Sequence, residues 1–319
     1  MAVHSNARAG SRPSSETRKH APKDDRKWWK AVIIAPVPRP LHKEQMGVQQ
    51  NRTDQHPRVA EWLQIEVALE RQLQPLGNAA IAALGLSRAE RVLDLGCGIG
   101  RTSQAIAGAV GGDGYVLGID VIQCAIDVQQ SRIDNPSQLV FECGDVETYR
   151  FEPGSFDAAF SRFGTMFFNE PVAAFANVRK AVRSGGRLAF VCWRDLAANE
   201  LDHLPLRAVA HLLPGELVDE TQGAGWFSLS DPKDIRRTLD AAGFIEIDVH
   251  AHDLLVSAGD LPSTVAVCSR VGALGAILRR HPHLRSRTAS ALKRALRERD
   301  GRCGTDLRAA VWIVVAHVP

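Results

Sequence analysis

The segment Val92-Leu93-Asp94-Leu95-Gly96-Cys97-Gly98-Ile99-Gly100-Arg101-Thr102 constrains the fold more than any other stretch of the chain. It reads as an apolar strand that ends in three closely spaced glycines and opens a helix. Glycine lets the backbone turn sharply and approach a ligand closely. The first N–H groups of the helix are unpaired donors at the positive end of its dipole. A polar or charged ligand belongs against such a turn. Plain tight turns share the spacing, so the surrounding pattern has to decide.

That pattern alternates short apolar runs with helical segments. Strands are predicted at Arg91–Leu95, Tyr115–Ile119, Gln138–Glu142, Phe156–Ser161 and Arg187–Trp193, the last introduced by Ser184-Gly185-Gly186. Between them lie helices from Thr102, near Gln123–Arg132 and at Pro171–Val182. Continuous apolar strands joined by helices predict a parallel sheet covered on both faces, a doubly wound α/β fold. Ahead of the first strand, Trp62, Ile65, Leu69 and Leu73 fall at helical spacing, Pro75 is expected to interrupt, and 79–84 continues. After Trp193 comes a stretch punctuated by Pro205, Pro214, Gly223 and Gly225. A helix Pro232–Ala242, a strand Phe244–His250, two helices over about 264–299 and a strand Ala310–His317 complete the pattern. The last two strands are expected to pair as an antiparallel edge.

Charge divides the chain into unlike blocks: net +6 over residues 1–45, −11 over 46–269 and +8 over 270–319. Residues 1–45 mix Ser, Pro, Arg and Lys without sustained periodicity and are expected to form a basic, disordered tail, placed at 1–50, ahead of a domain over 51–319. That domain is expected to hold a core at about 88–195 and a substrate-side part at about 196–319. No apolar run approaches the roughly 20 residues of a spanning helix. The six cysteines contain no C-x-x-C pair. Reduced thiols and a cytoplasmic location are the expectation, without membrane insertion or a metal site.

The ligand's chemistry follows from three acidic positions. Arg101 stands where a dinucleotide fingerprint wants its third glycine, and Asp94 lies inside the strand end. A pyrophosphate gains nothing from that carboxylate, whereas an ammonium does. Asp120, at the end of the second strand, is placed to accept both hydrogens of a ribose diol, although an aspartate there also suits a helix N-cap. Asp145, after the third strand, is placed to accept from an adenine amino group with Val146 supporting the ring; a turn aspartate is the other reading. A ligand with ammonium, ribose and adenine at the carboxyl ends of a parallel sheet is S-adenosylmethionine.

On these residues, and on Ser161-Arg162-Phe163-Gly164-Thr165-Met166-Phe167-Phe168 continuing through Ala173-Ala174-Phe175-Ala176-Asn177 to Gly185-Gly186-Arg187-Leu188, the chain resembles the class I S-adenosylmethionine-dependent methyltransferases. Within them it is similar to the bacterial small-molecule branch related to the ubiquinone/menaquinone methyltransferases. The resemblance runs from about Leu73 to the C-terminus. It implies a Rossmann-like, seven-stranded, mostly parallel sheet with an antiparallel last strand and helical insertions. The candidate cofactor set is Asp94, Gly96, Cys97, Gly98, Gly100, Thr102, Asp120, Val121, Asp145, Val146 and Ser161. The segment Asp54-Gln55-His56-Pro57-Arg58-Val59-Ala60-Glu61-Trp62 departs from the family's pocket-closing pattern.

Methyl transfer from a sulfonium is an in-line displacement with a good leaving group, so alignment and exclusion of water are the protein's main contributions. A base is needed only for an acceptor that must lose a proton. Asp202, His203 and His211 are the candidates, with His203 taken forward. Phe163, Met166 and Trp193 are expected to line an apolar acceptor pocket, while Phe168 and Phe175 are expected in the core. No N/D-P-P-Y/F tetrapeptide follows the fourth strand, which disfavours nucleic-acid base methylation. The expected partner is a small, apolar or aromatic methyl acceptor, with no nucleic acid. The competing readings are a nucleotide-dependent oxidoreductase and a non-catalytic module that binds the cofactor or RNA.

Overall fold

A computed structural model describes residues 57–319 apart from 133, 214–224 and 302–303. The expected tail, Asp54–His56, Pro214 and Gly223 lie outside the described residues.

Two helices precede the sheet: α1 (Pro57–Gln64) and α2 (Glu66–Leu84). Pro75 does not interrupt α2, contrary to the expectation above; it lies inside one continuous helix. Burial of Leu76, Ala80, Ile81 and Leu84 offsets the roughly 3 kcal/mol that an interior proline costs. Gly85, in the left-handed region at φ +63°, ends the helix.

Then β1 (Arg91–Leu95), α3 (Arg101–Val110), β2 (Tyr115–Asp120), α4 (Gln123–Gln130), β3 (Leu139–Cys143), β4 (Phe156–Arg162), α5 (Pro171–Ala181) and β5 (Val182–Trp193) reproduce the predicted alternation. The second half contains α6 (Glu200–Val209), α7 (Pro232–Ala241), β6 (Ile245–Ser257), α8 (Leu261–Cys268), α9 (Gly272–Arg280), α10 (Arg285–Arg297), the two-residue β7 (Asp300–Gly301) and β8 (Gly304–His317). Three helices therefore stand where two were expected, because the segment breaks at Ser269–Val271 and again at His281–Leu284. Asp231 and Asp260 cap α7 and α8, accepting from the N–H groups of Lys233 and Ser263.

The sheet order is β3-β2-β1-β4-β5-β8-β6, with β7 pairing only to β8. The five strands β1–β5 run parallel to their neighbours, and β8 is antiparallel to both β5 and β6. The two late strands are longer than predicted and pair antiparallel at one edge of the sheet as expected, with β8 between β5 and β6. Burial explains the patterning. All but the first residue of β1 are buried, as a strand covered on both faces requires, whereas edge strand β6 leaves most of its residues exposed or half-buried. One large core lies on the sheet faces. A second packs α6, α9 and α10 together through residues such as Val209, Leu274, Ile277 and Leu292.

Strand order reverses between β1 and β4, since β1 leads outward to β2 and β3 while β4 starts on its other side. The loops after these two strands diverge and leave a crevice at their carboxyl ends. The glycine-rich turn opens onto it.

Candidate active site

A cleft of about 310 Å³ occupies that switch point. Its floor includes Gly96 and Ile99 after β1, Asp120–Ile122 after β2, Gly144–Glu147 after β3 and Arg162–Gly164 after β4. Helix α2 forms one wall with Glu66, Leu69, Glu70 and Leu73, and Trp62, Phe167, Phe168 and Trp226 add aromatic surface. Among the described residues the lining holds five carboxylates (Glu66, Glu70, Asp120, Asp145, Glu147) and the guanidinium of Arg162. Glu66 and Glu70 are paired with buried arginines, so the charge left facing the cleft is that of Asp120, Asp145 and Glu147, which suits a cationic ligand better than a polyphosphate.

The glycine turn owes its shape to backbone that side chains resist. Gly96 has φ +66°, and a Cβ there would lie 3.0 Å from Gly164 Cα, so the loops after β1 and β4 touch. Gly100 has φ +76°, and a Cβ would lie 2.5 Å from Gln129 Oε1 and 2.8 Å from Phe141 Cζ. Asp120 orients the turn: its carboxylate accepts from Gly98 N–H and Ile122 N–H, both at 2.9 Å. It is at once a loop organiser and part of the cleft wall. Val121 beside it is 63% exposed, an apolar surface at the cleft.

Asp94 is fully buried and is not part of the lining. Its Oδ2 accepts from Ser103 Oγ at 2.6 Å and Thr102 Oγ1 at 2.9 Å, while Oδ1 has no partner. Burial pushes its carboxyl up to about 6, against the opposing effect of those two hydroxyls. Thr102 thus serves Asp94 and does not reach the cleft. Cys97 is buried with its thiol pushed well up by burial, and Gly98 and Gly100 shape the turn without lining the cleft. Ser161 donates its hydroxyl to Leu95 O at 2.8 Å and accepts from Gly164 N–H, joining the ends of β1 and β4 from beneath. Asp145 and Val146 do line the cleft; Asp145 Oδ1 accepts from Glu147 N–H at 2.9 Å, the turn role foreseen as its alternative.

Of the aromatic candidates, Phe163 lines the cleft and stacks on Trp193 with ring centroids 4.1 Å apart. Phe163 sits at φ +59°, a left-handed conformation unusual for a bulky residue. Met166 is buried and is not part of the cleft lining; its sulfur accepts from Trp193 N–H. Phe168, expected in the core, lines the cleft while its ring packs edge-on against buried Phe175. Beyond Phe163 lies a smaller chamber of about 70 Å³, bounded by α2, Trp193, α6 and α8. Asp202 lines it, buried, with its carboxyl pushed up to about 6 by burial against the opposing effect of the hydrogen bond it accepts from Ala273 N–H. His203 and His211 line neither cavity.

Sequence reasoning missed the charged framework of α2. Glu66 receives Arg101 at 2.7 Å and Arg132 at 2.6 Å, and Glu70 holds Arg162 through two bonds of 2.9 and 2.8 Å. One helical turn separates the two glutamates, so both face the cleft. Burial opposes the Arg162 charge, but Glu70 and Asp94 more than offset it and hold its pKa above the ordinary value. The i, i+4 acidic pair was the available signal. Trp62, in the segment that departs from the family pattern, is also in the wall.

Among the described residues no His/Cys/Asp/Glu cluster is arranged to hold a metal ion, and no single helix is long and apolar enough to cross a membrane.

Residues 92–186 match the family model of a methyltransferase domain. That segment runs through the parallel strands from β1 into β5 and holds the glycine-rich switch point, so the match to a methyltransferase domain falls on the part of the chain that builds the cleft. Its relatives include small-molecule methyltransferases. A demethylmenaquinone methyltransferase of Beutenbergia cavernae is 34% identical over 114 residues, 35% of this chain and 44% of that protein. The aklanonic acid methyltransferase DauC of a Streptomyces species is 32% identical over 121 residues, 36% of this chain and 54% of that one. The chain spans about a third to a half of the length of the curated relatives it matches. Among solved structures, Haemonchus contortus phosphoethanolamine N-methyltransferase 2, in complex with phosphomonomethylethanolamine and S-adenosylhomocysteine, shares the fold at TM-score 0.53. It is 15% identical, covering 85% of this chain and 60% of that one.

Proposed function

We propose that the protein transfers a methyl group from S-adenosylmethionine to a small apolar or aromatic acceptor. The observation that carries this reading is Asp120, held at the end of β2 by Gly98 and Ile122 N–H groups and facing the carboxylate-rich cleft. Its carboxylate is placed for the ribose diol. Val121, exposed beside it, and Val146 with Asp145 supply an apolar face and an acceptor for the adenine. Gly96 admits the methionine moiety close to the backbone. Asp94, whose Oδ1 has no partner, stabilises the amino end from below. The bound cofactor supplies an electrophilic methyl group. The chain's own part is to orient the two reactants and exclude water, with Phe163, Phe167 and Trp226 covering the acceptor. We place the protein in the cytoplasm: the five described cysteines are all free, four of them buried, which suits a reducing compartment.

Calorimetry with S-adenosylmethionine, S-adenosylhomocysteine and NAD tests the reading. The two sulfur nucleosides are expected to bind and NAD is not. Asp120→Ala should weaken both by about 1–3 kcal/mol, a roughly 5- to 150-fold rise in Kd. Unchanged affinity in that variant, or binding of NAD alone, overturns it.

A further inference from the structure

The inner chamber has a composition that core packing does not require. Phe163, Trp193, Leu201 and Val267 make most of its wall apolar. Two polar side chains interrupt that wall. Gln72 is 2% exposed and its amide nitrogen has no hydrogen-bond partner. Asp202 is 7% exposed, and Ala273 N–H reaches one of its oxygens at 2.7 Å. A buried amide donor without a partner costs about as much as a lost hydrogen bond, so a fold keeps one where something else completes it. The chamber shares Leu69, Leu73, Phe163, Trp226 and Val271 with the cofactor cleft, so the two spaces adjoin across the Phe163 ring. At about 70 Å³ it admits the polar end of a molecule and leaves the rest in the cleft.

We propose that this chamber is the anchor for the methyl acceptor: a hydroxyl on the acceptor donates to the Asp202 carboxylate and accepts from the Gln72 amide, while the attached ring lies along Phe163 and Trp226, which line both spaces. The acceptor class is therefore a hydroxylated aromatic compound. This rests on the methyltransferase reading above and narrows it. Asp202 and Gln72 act as acceptor-binding residues that set specificity; no proton transfer is assigned to them. Asp202 also accepts from the first turn of α9, and an asparagine oxygen can do the same, so the charge can be removed while the cap is kept.

Phenol and toluene, equal in shape and differing in the hydroxyl, are the probes. Binding is followed by saturation-transfer NMR on the full chain, without and with saturating S-adenosylhomocysteine. The wild-type chain should bind phenol at least tenfold more tightly than toluene. Asp202→Asn and Gln72→Met should each shrink that preference to threefold or less while leaving toluene affinity and S-adenosylhomocysteine affinity unchanged. Equal binding of the two probes, binding of neither, or a preference that survives both substitutions overturns the proposal. The separate titration of S-adenosylhomocysteine distinguishes the two readings, since its failure refutes the cofactor assignment whatever the probes do. A variant that loses toluene as well as phenol has lost its packing, and the remaining variant then decides.

Discussion

Replacing Glu66 by glutamine should be among the most damaging isosteric changes in the described chain. A single oxygen, Oε1, receives Arg101 through Nε at 2.8 Å and Nη2 at 2.7 Å, and Arg132 through Nη2 at 2.6 Å. The side chains of Arg101 and Arg132 are only 6% and 2% exposed, so water cannot replace the lost charge. Glutamine can keep a neutral oxygen in the place of Oε1, but it removes the negative charge that two buried guanidinium groups share. Removing one partner of a buried pair costs about 3–5 kcal/mol, because the remaining charge stays buried and uncompensated. Against a total stability of about 5–15 kcal/mol this is a large fraction. Urea unfolding followed by tryptophan fluorescence should show the midpoint falling accordingly, and Tm should drop by about 10 °C. Sodium chloride at 1 M should not mimic the effect, since screening acts on exposed charges. Replacing Glu66, Arg101 and Arg132 together by Leu, Met and Met should recover most of the loss. A glutamine variant destabilised by less than about 1 kcal/mol, the value of an exposed pair, would refute the reasoning.

Two further outcomes follow from the glycine turn and its surroundings. Gly100→Ala places a Cβ at a left-handed φ and against Gln129 and Phe141, and should cost about 2–4 kcal/mol in urea unfolding; a neutral result would show that the turn adapts freely. Asp94 titrates near 6 in the folded chain against an ordinary 3.8, so the folded state holds the extra proton between those values. Its contribution to stability is present below about pH 4 and lost as pH rises through 6, about 3 kcal/mol in all. Asp94→Asn removes that slope. The stability difference, variant minus wild type, should grow by up to that amount between pH 4.5 and 7.5, and a constant difference would contradict it.

The alternation of strands and helices was readable because strands buried on both faces leave unbroken apolar runs, and the turn between β1 and α3 because three positive-φ positions demand glycine. Asp120 was readable from its place after the second strand. The charged framework on α2 was not: Glu66 meets Arg101 and Arg132, and Glu70 meets Arg162, across separations of 35 to 92 residues that no local pattern encodes. Pro75 misled for the opposite reason. Its local cost is real, but packing against the sheet outweighs it. Ser161 and Thr102 show a third limit. Residues near a ligand site in sequence turn their hydroxyls inward, to Leu95 O and to Asp94, and support the site without facing it.

The position of β8 has a consequence for how the sheet is completed. Residues 304–317 are the last described strand to leave the ribosome, yet they pair on one side with Arg187–Trp193 and on the other with the strand over 245–257. Until they arrive, β5 has an open edge and β6 has no partner among the described strands. Both are template edges for pairing with another chain. The loss of a dozen C-terminal residues would therefore remove a strand from inside the sheet and detach β6 with it. Such a truncation should emerge as aggregate, although every residue that lines the cleft would still be present in the chain.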